Sequence, residues 1–104
     1  MTIKHITTKK EFLDTINSET KTIIVKFTAT WCGPCKFIAP IYKECSEKYL
    51  NIVFLEVDVD AVPDVTEMCE VSAMPTFKII KNRKIIDGFS GATEVKLKSL
   101  LNKY

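Results

Sequence analysis

The sequence predicts an α/β fold in which four helices flank a central, mixed five-stranded sheet. Apolar, strand-like runs alternate along the chain with segments of helical periodicity, a pattern typical of parallel strands that helices cover on both faces. Two apolar runs near the carboxyl end are separated by the short basic segment 81–84, which predicts a solvated turn and an antiparallel hairpin. The expected order is therefore β-α-β-α-β-α-β-β-α, and a length of 104 residues suits a single domain over 1–104.

Apolar spacing and capping residues place the individual elements. Thr7 or Thr8 can cap the first helix, and Pro63 can open the third. Thr93 can cap the last helix, while Pro40 falls inside the second and should kink it. The predicted ranges are strand 3–6, a helix to about residue 17, strand 22–28, helix 34–49, strand 52–59, helix 62–70, strands 76–80 and 84–89, and helix 93–103.

Apolar residues at helical spacing predict which side of each helix faces the sheet. In the first helix these residues are Phe12, Leu13 and Ile16. In the second helix they are Phe37, Ile38, Ile41, Tyr42 and Cys45. The last helix is expected to bury Val95, Leu97, Leu100 and Leu101.

The composition argues against several classes of function. Hydrophobic residues make up 46% of the chain and charged residues 27%, with a net charge of +2, which suits a globular domain and offers no strong field for nucleic acid or an anionic membrane. No stretch approaches the ~20 apolar residues that a membrane span needs. The segment 1–6 is short and mixed in polarity, so we expect no secretory signal. Four cysteines without such a signal favour a reducing compartment, and we expect the cytoplasm.

The segment Trp31–Lys36 contains two cysteines separated by two residues, directly after a buried strand and at the start of a helix. A thiolate is the species that attacks a disulfide, and a helix amino terminus favours negative charge by ~0.3–1 kcal/mol. We therefore expect Cys32, at a solvent-facing corner, to be the nucleophile, and Cys35, one turn inside, to be the shielded resolving thiol. Gly33 allows close approach of a partner, and Pro34 starts a helix without an orphaned N–H.

Two structural interpretations compete with this redox hypothesis. A structural zinc site needs four ligands, whereas the chain offers one Cys-x-x-Cys pair plus Cys45, Cys69 and His5, without a second paired motif. A buried, inert pair is disfavoured by its position at the start of a helix. We expect Cys45 and Cys69 to be small apolar core residues, and His5 to be a packing residue rather than a ligand. The acidic residues after the third strand are expected to be solvated rather than to bind a metal.

Several segments of the chain resemble the thioredoxin family, and most closely its eukaryotic cytosolic type. They are Ala29–Lys36 with its Trp-Cys-Gly-Pro-Cys motif, Ala73–Phe77 with Met-Pro-Thr, and Phe89–Ala92. Leu55–Asp60 is similar to the eukaryotic type in particular, and the similarity extends over essentially the whole chain. The resemblance implies the thioredoxin fold and a monomeric protein-disulfide reductase that needs no bound cofactor.

The resemblance also implies partners. A flavin-containing, NADPH-dependent thioredoxin reductase would return the cysteine pair to the dithiol form. Clients would be disulfide-containing proteins such as ribonucleotide reductase, peroxiredoxins and methionine sulfoxide reductases, and nothing in the residues selects among them. The alternative from another functional class is a redox-gated binding module that holds a client through the same surface without turnover. A disulfide isomerase or oxidant is disfavoured by Gly33 and Pro34 and by the lack of an export signal.

A client-docking surface is a further implication of the resemblance. Pro75 matches the cis proline that the family carries beside its disulfide, and this would leave the Met74 backbone free to pair with an extended client segment. Asp60 would hydrogen-bond the Trp31 indole. The implied docking surface consists of Trp31, Gly33, Pro34, Ala73, Met74, Pro75, Ser90, Gly91 and Ala92.

Lys26 departs from the family, whose members usually carry a buried aspartate at this position, thought to take the proton from the resolving thiol. A buried, unpaired ammonium is costly, so Lys26 must find a carboxylate, lose its proton or reach solvent. We hypothesise a reversed ion pair with Glu56 on the neighbouring strand, where bacterial relatives carry a lysine opposite their aspartate. In that pair the Lys26 charge would favour the Cys35 thiolate, and Glu56 could accept its proton through a water molecule.

Overall fold

The computed structural model describes residues 2–104 and forms five strands and four helices from them, in the predicted order. Their bounds are β1 Ile3–Ile6, α1 Lys9–Ser18, β2 Thr22–Thr28, α2 Gly33–Lys48, β3 Ile52–Asp58, α3 Pro63–Met68, β4 Thr76–Lys81, β5 Lys84–Ser90 and α4 Glu94–Asn102. The predicted α/β fold is therefore confirmed. Met1, the first residue of the predicted domain 1–104, lies outside the described residues.

The strands of the described residues form a mixed sheet in the order β1-β3-β2-β4-β5. The strands β1, β3 and β2 run parallel to one another, while β4 is antiparallel to β2 and forms a hairpin with β5. Residues 22–27 of β2, the central strand, are all buried. Because β2 and β3 are parallel neighbours, the segments that follow them leave the sheet side by side at one edge.

Alternate residues of β2 point to opposite faces of the sheet. Ile23, Val25 and Phe27 pack into the layer covered by α1 and α3, which we call the α1/α3 layer; its buried helical residues include Phe12 and Val65. Ile24 packs into the layer covered by α2 and α4, which we call the α2/α4 layer. The buried helical residues of this second layer are Ile38, Tyr42, Cys45, Leu97, Leu100 and Leu101.

Side-chain caps define the starts of two helices. Thr8, rather than Thr7, caps α1, because its Oγ1 accepts the Glu11 backbone N–H at 3.1 Å. The Glu11 carboxylate in turn accepts the Thr7 backbone N–H at 2.7 Å. The predicted cap of α4 is also present, since Thr93 Oγ1 accepts the Lys96 backbone N–H at 3.0 Å. Within residues 2–104, no helix combines the length and the apolar character needed to cross a membrane.

Two apolar side chains on the helices are more exposed than their spacing predicts. Val95 is 80% exposed, so its predicted burial is wrong. It precedes the buried Leu97 by two residues, or about 200° around a helix axis, and therefore points away from the sheet. Phe37 directly precedes the buried Ile38 and is 63% exposed. The helix α2 continues through Pro40, and the kink expected there stays a prediction.

Candidate active site

The chain turns from strand to helix between Thr28, where β2 ends, and Gly33, where α2 begins. Cys32 is the N-cap residue of α2: its backbone is extended, and its sulfur accepts the Cys35 backbone N–H at 3.2 Å. Pro34 lies in the first turn, where the missing N–H leaves no hydrogen bond unmade. The Cys32 sulfur therefore lies at the positive end of the helix, where a thiolate is stabilised.

Cys32 and Cys35 are joined by a disulfide, and their Cα atoms lie 5.3 Å apart. Both residues belong to the α1/α3 layer, with 5% of Cys32 and 2% of Cys35 exposed. The expectation of a solvent-facing Cys32 is therefore wrong for the disulfide form, because its sulfur is bonded to the buried Cys35. The expectation that Cys35 is shielded agrees with its burial.

Asp60 holds the exposed Trp31 side chain in place. The Trp31 indole Nε1 donates a hydrogen bond to Asp60 Oδ2 at 2.8 Å. Asp60 follows β3, whose carboxyl end lies beside that of β2, and its backbone N–H donates to Asp58 Oδ1 at 2.9 Å. The hydrogen bond expected from the resemblance is thus present, and it fixes a 66% exposed aromatic ring one residue from Cys32.

Two loops meet where β4 begins and β5 ends. The Met74–Pro75 peptide bond is cis, and the Pro75 carbonyl accepts the Gly91 backbone N–H at 2.9 Å. The hydroxyl oxygens of Thr76 and Ser90 lie 2.7 Å apart. Gly91 has a φ of +120°, a backbone conformation that favours glycine. These contacts bring together the loops that carry six of the nine predicted docking residues.

The nine docking residues differ in exposure. The exposed ones are Trp31, Gly33, Pro34, Ala73 and Ser90; the half-buried ones are Met74, Gly91 and Ala92; Pro75 is buried. Met74 packs against the α1/α3 layer, which contains both active-site cysteines. Met74 therefore packs the loop before β4 against the layer that contains the disulfide, while the shared role of the nine residues in docking stays a prediction.

Lys26 lies in the middle of the sheet and is 2% exposed. Its Nζ is 2.9 Å from Glu56 Oε1, and the two residues are direct neighbours on β2 and β3. The same Nζ lies 5.1 Å from the centre of the Tyr42 ring of α2. The hypothesised ion pair is thus present as a contact, and the carboxylate and the aromatic face together offset the free energy of burying an ammonium.

Tyr42 is itself fully buried and stays protonated. Burial, with a smaller contribution from the Glu56 charge, raises the pKa of Tyr42 well above its ordinary value. Its hydroxyl donates to the Leu55 carbonyl at 2.7 Å. The ring beside Lys26 is therefore neutral and fixed in position.

Glu56 has a second partner, which the sequence analysis missed. His5 is the neighbour of Glu56 on β1, and its Nδ1 is 2.8 Å from Glu56 Oε2. The His5 side chain is 56% exposed, so the expectation of a packing residue is wrong. The signal that could have found it is strand order: once β1 is placed parallel to β3, the alternation along each strand brings His5, Glu56 and Lys26 into one row.

Comparison with known proteins agrees with this fold. The family model for thioredoxin matches residues 3–103. The chain belongs to the thioredoxin family. Thioredoxin 1 of Plasmodium falciparum (isolate 3D7) is 49% identical over 102 residues, which cover 98% of this chain and 97% of that protein. Thioredoxin of Equus caballus is 49% identical over 100 residues, or 95% of each chain. A solved structure of Plasmodium falciparum thioredoxin is similar with a TM-score of 0.94 and 48% identity, covering 97% of this chain and 98% of that one.

Membership of the thioredoxin family establishes the class of chemistry. Thioredoxins are thiol–disulfide oxidoreductases, and this chain is one, of the eukaryotic type and with the thioredoxin fold. Its Cys32–Cys35 pair is consistent with dithiol–disulfide exchange, since one sulfur lies at a helix terminus and the other lies within bonding distance.

Cys45 and Cys69 differ from the active-site pair. Both are buried free thiols, as expected of small apolar core residues, and they lie in different layers on opposite faces of the sheet. Burial raises the pKa of the Cys69 thiol to about 11 and also raises that of Cys45. Both thiols are therefore protonated and unreactive near neutral pH. Among residues 2–104, no cluster of three or more histidine, cysteine or acidic side chains is arranged to hold a metal ion.

Proposed function

We propose that this thioredoxin family member is a protein-disulfide reductase. In the reduced protein, the Cys32 thiolate attacks one sulfur of a client disulfide; a bond forms between Cys32 and the client, and the other client sulfur leaves as a thiolate. The Cys35 thiolate then attacks the Cys32 sulfur, which closes the Cys32–Cys35 disulfide and releases the second client thiolate. Two electrons pass from the cysteine pair to the client.

The observation that carries this proposal is the position of the Cys32 sulfur as the cap of α2, where it accepts the Cys35 N–H at 3.2 Å. The same donor suits a thiolate better than a thiol, because hydrogen bonds to charged acceptors are roughly twice as strong as those between neutral groups. The helix terminus favours the charge by a further ~0.3–1 kcal/mol. Cys32 would therefore attack at a pH at which Cys45 and Cys69, with their raised pKa values, stay protonated.

The docking surface would hold an extended segment of the client next to the disulfide. Apolar contact area is supplied by the exposed Trp31, which precedes the cysteine pair in the sequence, and by the half-buried Met74, which follows it. The Met74 backbone, next to a proline that lacks an N–H, would pair with the client main chain in the manner of an added strand. Contacts of this kind suit many different clients, because they are made to the client main chain rather than to particular side chains.

We assign Lys26 and Glu56 to the resolving step. Lys26 lies beneath α2, the helix that carries Cys35, and contacts Tyr42 of that helix. Its positive charge would favour the Cys35 thiolate, and Glu56, 20% exposed at its side chain, would accept the proton through water. We expect Lys26→Asp, which places two acids side by side, to slow disulfide reduction and to change its pH profile. An unchanged rate and an unchanged profile would contradict this role.

Regeneration would come from a flavin-containing, NADPH-dependent thioredoxin reductase, with the chain acting as a monomer. Ribonucleotide reductase, peroxiredoxins and methionine sulfoxide reductases are the proposed clients. The cytoplasm is the proposed compartment, because a reducing environment returns an exchanging pair to its dithiol form and keeps the other cysteines reduced.

The direct test is reduction of the interchain disulfides of insulin by dithiothreitol, with and without the protein. We expect strong acceleration by the wild type, none by Cys32→Ser, and a trapped mixed disulfide with Cys35→Ser, because attack is then possible but resolution is not. Cys45→Ala, which removes a buried thiol distant from the pair in sequence, is the matched control and should keep the activity. Binding of insulin without acceleration would instead identify a redox-gated binding module.

Recycling is tested separately by coupling the assay to NADPH oxidation with a eukaryotic thioredoxin reductase. NADPH consumption that depends on both proteins and on a client disulfide supports the proposed cycle. If the protein accelerates insulin reduction by dithiothreitol but supports no NADPH oxidation with thioredoxin reductase, the proposed partner is contradicted. The protein-disulfide reductase activity of the chain itself would still stand.

A further inference from the structure

A row of three side chains crosses the sheet from its edge to its centre. His5 on β1, Glu56 on β3 and Lys26 on β2 are neighbours in register. His5 Nδ1 lies 2.8 Å from Glu56 Oε2, and Lys26 Nζ lies 2.9 Å from Glu56 Oε1. The exposed fraction of the side chains falls from 56% to 20% to 3% along this row. One carboxylate therefore connects a surface imidazole to a buried ammonium.

The short contact between His5 and Glu56 is best explained by a proton between the two atoms. An unprotonated imidazole nitrogen and a carboxylate oxygen both present lone pairs, and 2.8 Å is the distance of a charge-assisted hydrogen bond. We expect neutral His5 to carry its proton on Nδ1, from which it can donate to Glu56. One oxygen of Glu56 thus contacts His5 at the sheet edge, and the other contacts Lys26.

We propose that His5 is a positioning residue for the Lys26–Glu56 pair and, through that pair, for the resolving step of disulfide exchange. The proposal rests on the function proposed above for Lys26 and Glu56. Without His5, the partly exposed Glu56 carboxylate is free to turn toward water, and the ammonium of Lys26 loses an aligned partner. Protonation of His5 adds a positive charge beside Glu56, which makes the carboxylate a poorer acceptor for the Cys35 proton.

The charged groups that face His5 come from two other elements. Glu56 of β3 is in direct contact, while Lys43 and Glu47 of α2 line the cleft beside the imidazole. Lys43 and Glu47 carry opposite charges, so their effects on the imidazole oppose each other. Tyr42 of α2, which packs over Lys26, is neutral because burial raises its pKa. Glu56 is therefore the group through which the charge of His5 acts on the row.

The two chemical steps can be separated with Ellman's reagent, which is itself a disulfide. Attack by Cys32 releases one coloured thiolate and resolution by Cys35 releases the second, so stopped-flow absorbance resolves two phases. The informative variants are His5→Phe, which keeps a ring but cannot donate, and His5→Asn, whose amide N–H can take the place of Nδ1–H but does not titrate. Lys4→Phe is the matched control, because Lys4 is the next residue on β1 and bonds Thr15 of α1.

We expect His5→Phe to slow the resolving phase at pH 8 by about threefold to tenfold, the loss of one hydrogen bond that holds a reacting group. The attack phase should change by less than about twofold, as should both phases of Lys4→Phe. His5→Asn should match the wild type at pH 8.

The stopped-flow results distinguish the role proposed for His5 from the role proposed for the Lys26–Glu56 pair. A resolving phase unchanged in His5→Phe but slowed in Lys26→Asp would overturn the role of His5 and keep that of the pair. A resolving phase unchanged in both would overturn the two roles together, while the insulin assay would still report on the reductase activity. Equal slowing of the attack phase would also overturn the proposal, since it would indicate a general effect on the fold.

The position of the imidazole proton provides a spectroscopic test that does not depend on activity. The chain contains one histidine, so its ring nitrogens can be followed by nitrogen-15 NMR without ambiguity. We expect neutral His5 to carry its proton on Nδ1 in the wild type and to move it toward Nε2 in Glu56→Ala. The same tautomer in both proteins would show that Glu56 does not hold His5, and the proposal would fail.

Discussion

The two faces of β2 bury their side chains by different physical means. On the face toward α1 and α3, the strand presents Ile23, Val25 and Phe27, all of them apolar. On the face toward α2 and α4, it presents Ile24 and then Lys26, a residue that is 2% exposed and whose ammonium contacts Glu56 and the Tyr42 ring. One strand therefore carries both a purely apolar contact and a buried charge.

The two faces differ in what they contribute to stability. Apolar burial stabilises the fold by roughly 25 cal/mol per Å² removed from water. A buried ion pair contributes little net stability, because the attraction between the charges is offset by the loss of their hydration. The apolar face therefore supplies stability, whereas the charged face holds an ion pair against Tyr42 of α2, the helix that also carries Cys35.

The apolar face should give the largest change when it is broken. Phe27 is fully buried, so Phe27→Ala removes a ring and leaves a cavity in the α1/α3 layer. We expect the free energy of unfolding to fall by about 3–5 kcal/mol, measured by urea denaturation of the oxidised protein. A loss below about 1 kcal/mol would mean that this face does not dominate the stability of the fold.

Breaking the ion pair from one side should give the next largest change. Glu56→Ala leaves the Lys26 ammonium buried without its carboxylate, and we expect a loss of about 3 kcal/mol, the low end for buried pairs because Glu56 is partly exposed. Glu44→Ala is the matched control: it removes the carboxylate of an exposed pair with Lys48 and should change stability by less than about 0.5 kcal/mol. Equal losses in the two variants would contradict the distinction between buried and exposed pairs.

Removing both charges should have a smaller effect on stability than removing one. We expect the double variant Lys26→Met/Glu56→Leu to unfold within about 1 kcal/mol of the wild type, or to be more stable, since apolar groups of similar size replace two costly charges. Its resolving step should nevertheless be slow, as measured with Ellman's reagent. If the double variant is stable and its resolving step is normal, the Lys26–Glu56 pair is needed neither for stability nor for catalysis.

The redox corner was predictable because its signals are local. Residues 31–36 are contiguous, and the strand before them and the helix after them are both legible from apolar spacing. The Trp31–Asp60 hydrogen bond also followed from the resemblance, since it joins the segments after two neighbouring strands. The burial of Cys32 did not follow, because it depends on the closed disulfide, a state that the order of residues does not determine.

The row formed by His5, Glu56 and Lys26 was only partly predictable, because it depends on the order of the strands in the sheet. Lys26 and Glu56 could be paired from the unusual lysine and the neighbouring strand, whereas His5 required knowledge that β1 lies beside β3. Long-range packing determines that neighbour. The exposed Val95 and Phe37 were missed for a related reason: residue type indicates an apolar side chain, but the rotation of a helix about its axis is set by what it packs on.

The smallest of the expected effects concerns pH and the α1/α3 layer. Burial raises the pKa of Cys69 to about 11, while an unfolded cysteine has a pKa of about 8.5. Below the unfolded value both states hold the proton and the contribution of Cys69 to stability is complete; as pH rises toward 11 the unfolded state releases its proton first, so that contribution is lost.

In a Cys32→Ser/Cys35→Ser background, which removes disulfide exchange, Cys69→Ala should therefore lose stability less steeply between pH 9 and 11 than the same background with Cys69. Urea denaturation at a series of pH values measures both slopes, and the raised pKa of Tyr42 affects the two proteins equally. Parallel curves would show that Cys69 is less shielded in this layer than its burial indicates.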